Sequence, residues 1–97
     1  MIVLSDNTEQ RLQRVFKPSR LDEARAILVE HCADNLPFYQ QTSPAELERI
    51  RYAVLKLSGG RIDKLQHWVH EAQIDWRDVL VAAGFGTDVT AHERWEP

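Results

Sequence analysis

The chain has a single cysteine, Cys32, so no intramolecular disulfide can form. A reducing compartment is the simplest expectation. Long apolar runs are missing as well. None approaches the roughly 20 residues needed to cross a bilayer, and Met1 to Leu4 is too short for the core of a signal peptide. The expected location is therefore the cytoplasm, without membrane contact. Positive charge is scarce: the formal net charge is −3. That argues against nonspecific binding to nucleic acid or to acidic membranes. No useful stretch alternates apolar and polar residues at strand period, and there is no internal repeat or low-complexity tract. Helix is what these absences leave.

What is present suits one small globular domain. Residues 1–97 have no room for two cores. The composition is 43% apolar and 28% charged, which argues against global disorder. Residues 1–5 and 87–97 are expected to be loose ends, since the second stretch is polar apart from Val89 and Trp95.

Helix signals follow one another along the chain. Asp6-Asn7-Thr8-Glu9 has capping-box spacing, followed by Leu12, Val15 and Phe16 at helical intervals, and Pro18 stops that helix. Ser19 to Asp22 is a second capping pattern. It opens a helix from about Arg20 to Asp34, with Asn35 and Pro37 as stop signals. Its apolar stripe reads Leu21, Ala24, Ile27, Leu28, His31 and Cys32. Leu36 to Thr42 is a loop carrying Phe38 and Tyr39. Ser43-Pro44-Ala45-Glu46 is a strong start, with Ser at the cap, Pro at the first position and Glu at the third. That helix runs to Ser58, stops at Gly59-Gly60, and gathers Leu47, Ile50, Ala53, Val54 and Leu57 on one face. A fourth helix, about Arg61 to Gln73, buries Ile62, Leu65, Trp68, Val69 and Ala72.

A fifth unit carries start, body and stop in one run, Ile74 to Phe85. Asp75 is placed as N-cap, with Ile74 and Val79 as a hydrophobic staple. Val79 to Ala83 is apolar on every side, which marks a buried helix and makes this unit the expected centre of the core. Gly84 can take the left-handed conformation that ends a helix, with Phe85 folding back. The expected fold is all-α, a compact bundle of four to five short helices. The run Asp75 to Phe85 (Asp-Trp-Arg-Asp-Val-Leu-Val-Ala-Ala-Gly-Phe) resembles the C-terminal segment of small bacterial helical proteins of unassigned role. Those proteins carry a stretch like Leu55 to Trp68 before it. The resemblance covers at most the C-terminal half. It implies a bacterial, cytosolic, helical protein and brings no catalytic residues.

Three sets of residues are candidates for function. Asp63, His67, His70 and Glu71 project from the solvent side of the fourth helix at spacings of three and four. Neighbours at those spacings touch, so two or three of them could share a divalent metal. The order is not His-Glu-x-x-His, and ordinary charge pairs on a solvated face explain it as well, so no metal or other cofactor is assigned. His31 and Cys32 do not form a catalytic pair, because adjacent helical side chains point about 100° apart. A buried, hydrogen-bonded histidine is the expectation at position 31. The hairpin around Gly59-Gly60 could present residues 61–73 as a recognition helix, offering Arg61, Lys64, Gln66 and His67 to bases. Asp63 and Glu71 on the same surface would repel phosphates, and the basic footprint is missing.

The last set is Tyr52 and Leu55, which lie off the main stripe of the third helix on the side of Glu48. Either the first helix covers them, or they form an exposed patch for a protein partner or a homodimer. With no convergent catalytic set in the sequence, the leading expectation is a non-enzymatic protein acting through protein–protein interaction, in a regulatory or adaptor role. The nucleic-acid binder and the metal-binding protein stand as alternatives.

Overall fold

Ser5 opens the first helix. Its Oγ accepts from the Thr8 backbone N–H at 3.2 Å and donates to Glu48 Oε1. The cap therefore sits one residue before the expected Asp6, which falls in the first turn where its charge suits the helix dipole. The structure, a computed structural model, describes residues 4–32, 44–86 and 90–97, with only the backbone described at Pro44 and Ala45. The loop from Leu36 to Thr42, the stop signals at Asn35 and Pro37, the end at Asp34, the Ser43 cap and Val89 lie outside the described residues.

Among the described residues the elements are α1 (Asp6–Val15), α2 (Leu21–His31), α3 (Pro44–Ser58) and α4 (Ile62–Ala83). Two 3-10 turns, Pro18–Arg20 and Ala91–Arg94, complete the set. The protein is all-α, a small helical bundle. No helix in the described residues is long and apolar enough to cross a membrane.

The entry to α2 departs from the sequence pattern. Pro18 presets the backbone for a tight 3-10 turn, and Arg20 then precedes α2 with no side-chain cap. The Ser19–Asp22 capping pattern is therefore unused. Instead Arg25 ties α2 to α1, through Nε to Glu9 Oε1 at 2.7 Å and a second nitrogen to Oε2 at 3.1 Å. Ala24, Ile27, Leu28 and Cys32 are buried as expected, but His31 is not: 57% of its side chain is exposed. It stands at the end of the helix, past the edge of the core, and looks over the rim of the groove between α2 and α4.

The core is centred on α3, not on the C-terminal unit. Residues 49–55 of α3 are buried on every side, with α1, α4 and the Ala91–Arg94 turn packed around them. Two of these residues are arginines, and each serves the end of another helix. Arg51 Nε donates to Cys32 O, where α2 ends, at 3.1 Å. Arg49 donates to Phe85 O, just beyond the end of α4. Lys56 Nζ adds a bond to Ala83 O at 2.8 Å and lies 4.9 Å from the centre of the Phe85 ring. Gln73 supports α2 from the α4 side, donating to His31 O at 2.8 Å. Helix ends leave carbonyls without intrahelical partners, and cations there also meet the negative end of the dipole.

The helix α4 is bent. Asp75 has φ −150 and ψ 97, outside the helical region, so the fourth and fifth sequence units meet there at a kink. Its Oδ1 accepts from the Arg77 N–H at 3.0 Å, which is the expected cap. Gly84 has φ 81, the Gly84 N–H bonds to Val81 O and the Phe85 N–H to Leu80 O at 2.8 Å. That pair of bonds is the Schellman ending. Two expectations for this limb fail. Val79, Leu80 and Ala83 are buried, but Val81 is 70% exposed and Ala82 is exposed, so one side of the limb faces outward among the described residues. Ile74 is 64% exposed, so no staple closes onto Val79. Asp75→Ala should destabilise by about 1 kcal/mol, the usual loss for an N-cap, read as a lower midpoint in chemical denaturation.

Candidate functional site

Of the patch expected at Glu48, Tyr52 and Leu55, the tyrosine and the leucine lie inside the fold and Glu48 is half-buried. Tyr52 is 1% exposed and Leu55 is 0% exposed. The first helix covers them in part, as one sequence reading allowed. The second cover is the Ala91–Arg94 turn. Arg11 of α1 stacks over the Tyr52 ring at 4.4 Å, and the rings of His92 and Trp95 meet Tyr52 at 5.2 and 6.1 Å. Phe85 closes the other side, 6.4 Å from both. Arg11 Nε donates to Trp95 O at 3.1 Å, and a second nitrogen reaches Glu93 O at 3.4 Å. Burial, with the Glu48 carboxylate nearby, pushes the Tyr52 phenol up to about 12. Residues 91–95, within the stretch expected to be loose, thus pack against the bundle.

His92 is the residue in this cluster that pattern reading passed over. It is 2% exposed, and among the described residues neither ring nitrogen has a hydrogen-bond partner. Burial pulls its pKa below the ordinary 6.5, with Arg49 and Arg11 acting in the same direction and Glu93 and Glu48 opposing. The sequence held one signal: an imidazole and an indole three residues apart, close behind the Phe85 helix stop.

The four residues of the solvent side of α4 are not gathered into one site. Arg61 holds Asp63 in a two-point pair, at 3.1 and 3.0 Å, and this hydrogen bonding keeps the Asp63 carboxyl below the usual carboxylate range. His67 packs its ring edge-on to Trp68 at 5.1 Å. His70, with His31, lines a groove of about 260 Å³ between α2 and α4. Asp63 lines a different recess of about 540 Å³, beside Lys17, Arg20 and Arg61. Among the described residues no three His, Cys, Asp or Glu side chains come together around a metal position. For the recognition-helix alternative, Lys64, Gln66 and His67 are exposed, while Arg61 is committed to Asp63.

Cys32 is fully buried, and burial pushes its thiol up to about 12 against the opposing charge of Arg51. It stays a thiol at neutral pH and is a poor nucleophile. With Tyr52 and Leu55 internal, the apolar surface moves to the bent helix. The large hydrophobic residues exposed in the described chain are Ile74 and Val81. Trp76, half-buried between them in sequence, carries the Arg77 guanidinium 5.4 Å from its ring centre. Comparison of the chain with protein-family models, curated proteins and solved structures gives no match.

Proposed function

We propose that the protein acts through protein–protein interaction, and that the outward side of bent α4 is the surface it uses, with a second copy of the chain as partner. One observation carries the reading: Ile74 and Val81, exposed by 64% and 70%, sit on the same bent helix. At about 100° per residue, each points away from the buried stripe of its own limb. Large exposed apolar side chains in proximity along one element favour an interaction role over a purely solvated face.

Charge favours a second copy. Val81 is preceded one turn earlier by Arg77 and Asp78, both exposed. An antiparallel pairing of two such limbs about a twofold axis sets Arg77 against Asp78 of the partner subunit, and the reverse. The same register lays each Val81 against Ile74 of the partner subunit, with the charges between the two apolar contacts. A regulatory or adaptor role in the cytoplasm accompanies this reading.

Light scattering across a concentration series should show a monomer–dimer equilibrium. Val81→Glu should shift it to monomer while the thermal midpoint of the monomer stays within a few degrees, because a substitution at this exposed position costs roughly 0.5 kcal/mol or less. A wild type that is monomeric at every concentration, or a Val81→Glu variant that still pairs, would remove this surface from the account.

A further inference from the structure

The Ala91–Arg94 turn places a neutral imidazole where an imidazolium has no acceptor. His92 is 2% exposed, and neither of its ring nitrogens bonds to a described residue. Its neighbours are ring edges: Tyr52 at 5.2 Å and Phe85 at 6.4 Å. The charged and titratable groups facing it are Glu48, Arg49 and Tyr52 from α3, Arg11 from α1, and Glu93 from its own turn. The two carboxylates favour the charged form and the two guanidiniums oppose it, and desolvation is the largest influence. A charged imidazolium donates from both nitrogens and needs acceptors that this slot does not supply.

The turn lies at the rim of the bundle. Arg11 anchors it through Trp95 O and Glu93 O, at 3.1 and 3.4 Å. His92 and Trp95 pack their rings on Tyr52 and Phe85. By contrast, the helices it covers are fastened to each other independently, by Arg49, Arg51 and Lys56. The turn can therefore leave without taking the bundle apart.

We propose that the Ala91–Arg94 turn is a pH-sensitive latch: protonation of His92 expels it from the slot between α1, α3 and Phe85, and bares the Tyr52 and Phe85 rings. The direction follows from linkage. A histidine whose docked pKa lies below its free value of 6.5 binds protons better when released. Docking is at full strength above pH 6.5 and weakens as the pH falls toward the docked value. Within that window the opening constant rises about tenfold per pH unit for a single proton.

The test is amide hydrogen exchange on the full chain, corrected for the intrinsic pH dependence of exchange. Amides 91–95 should lose protection by that tenfold per unit below pH 6.5, while α3 keeps its protection and the far-UV signal stays constant. His92→Phe keeps an apolar ring in the slot and should hold the turn docked at every pH. A parallel titration of the His92 ring by NMR on the wild type must follow the same curve, which keeps the test decisive even if the variant folds poorly. The latch is wrong if protection at 91–95 is unchanged down to global acid unfolding. It is equally wrong if α3 opens together with the turn, if His92→Phe responds like the wild type, or if the ring titrates elsewhere.

Discussion

Leu55→Glu is expected to abolish cooperative folding, with helicity lost in the far-UV spectrum and no thermal transition. Leu55 is 0% exposed on the most enclosed helix of the bundle. Removing its packing costs roughly 2–5 kcal/mol. The new carboxylate adds several kcal/mol more, because a charge is taken out of water at a position where the native side chain is fully buried. Together these reach the whole of the roughly 5–15 kcal/mol available to a small domain. Leu55→Met keeps the volume and should cost less than about 1.5 kcal/mol. A folded, monomeric Leu55→Glu protein would mean that this position is a subunit interface after all. The same substitution thus separates core from surface, while Val81→Glu separates surface from core.

Gly60→Ala should be the next most damaging change, well beyond its neighbour Gly59→Ala. Both glycines have positive φ, 58 at Gly59 and 83 at Gly60, so a side chain at either is strained by about 1–2 kcal/mol. What differs is the space. A Cβ at Gly59 meets nothing within 4 Å, whereas one at Gly60 would lie 2.7 Å from the Val15 carbonyl oxygen. That oxygen is backbone at the end of α1 and cannot swing aside. Overpacking adds roughly 1–3 kcal/mol, so Gly60→Ala should cost about 2–5 kcal/mol and Gly59→Ala about 1. Urea denaturation of both variants with unchanged m-values gives the comparison directly. Equal losses at the two positions would show that α1 does not press on the α3–α4 turn.

Local chemistry made the helix ends legible. Asp75 caps, Gly59 and Gly60 turn, and Gly84 with Phe85 stops, as residue type alone suggested. The choice of central helix was not legible, for a physical reason. Val79 to Ala83 is the most uniformly apolar run, but apolar composition states what a helix tolerates, not how many neighbours it has. The more enclosed helix, α3, carries Arg49 and Arg51 in its middle. Their stems are buried while their guanidiniums reach the carbonyls of other helices, 36 and 19 residues away in sequence. Partners that distant leave no local pattern. The same holds for Tyr52, whose cover comes from Arg11, His92 and Trp95 at the two ends of the chain.

The cations of α3 also bear on how the molecule comes apart. Peeling α2 away from the bundle strips Arg51 of the Cys32 carbonyl, and peeling the last limb of α4 strips Arg49 and Lys56. Either partly opened form breaks a bond between a buried guanidinium and the carbonyl at the end of another helix, before water can fully reach the group. Intermediate states are thereby raised in energy relative to both the closed bundle and the open chain. Slow-exchanging amides in α2, α3 and the end of α4 should then share one opening free energy instead of a graded series. The latch at residues 91–94 would be the exception, opening on its own below that common level.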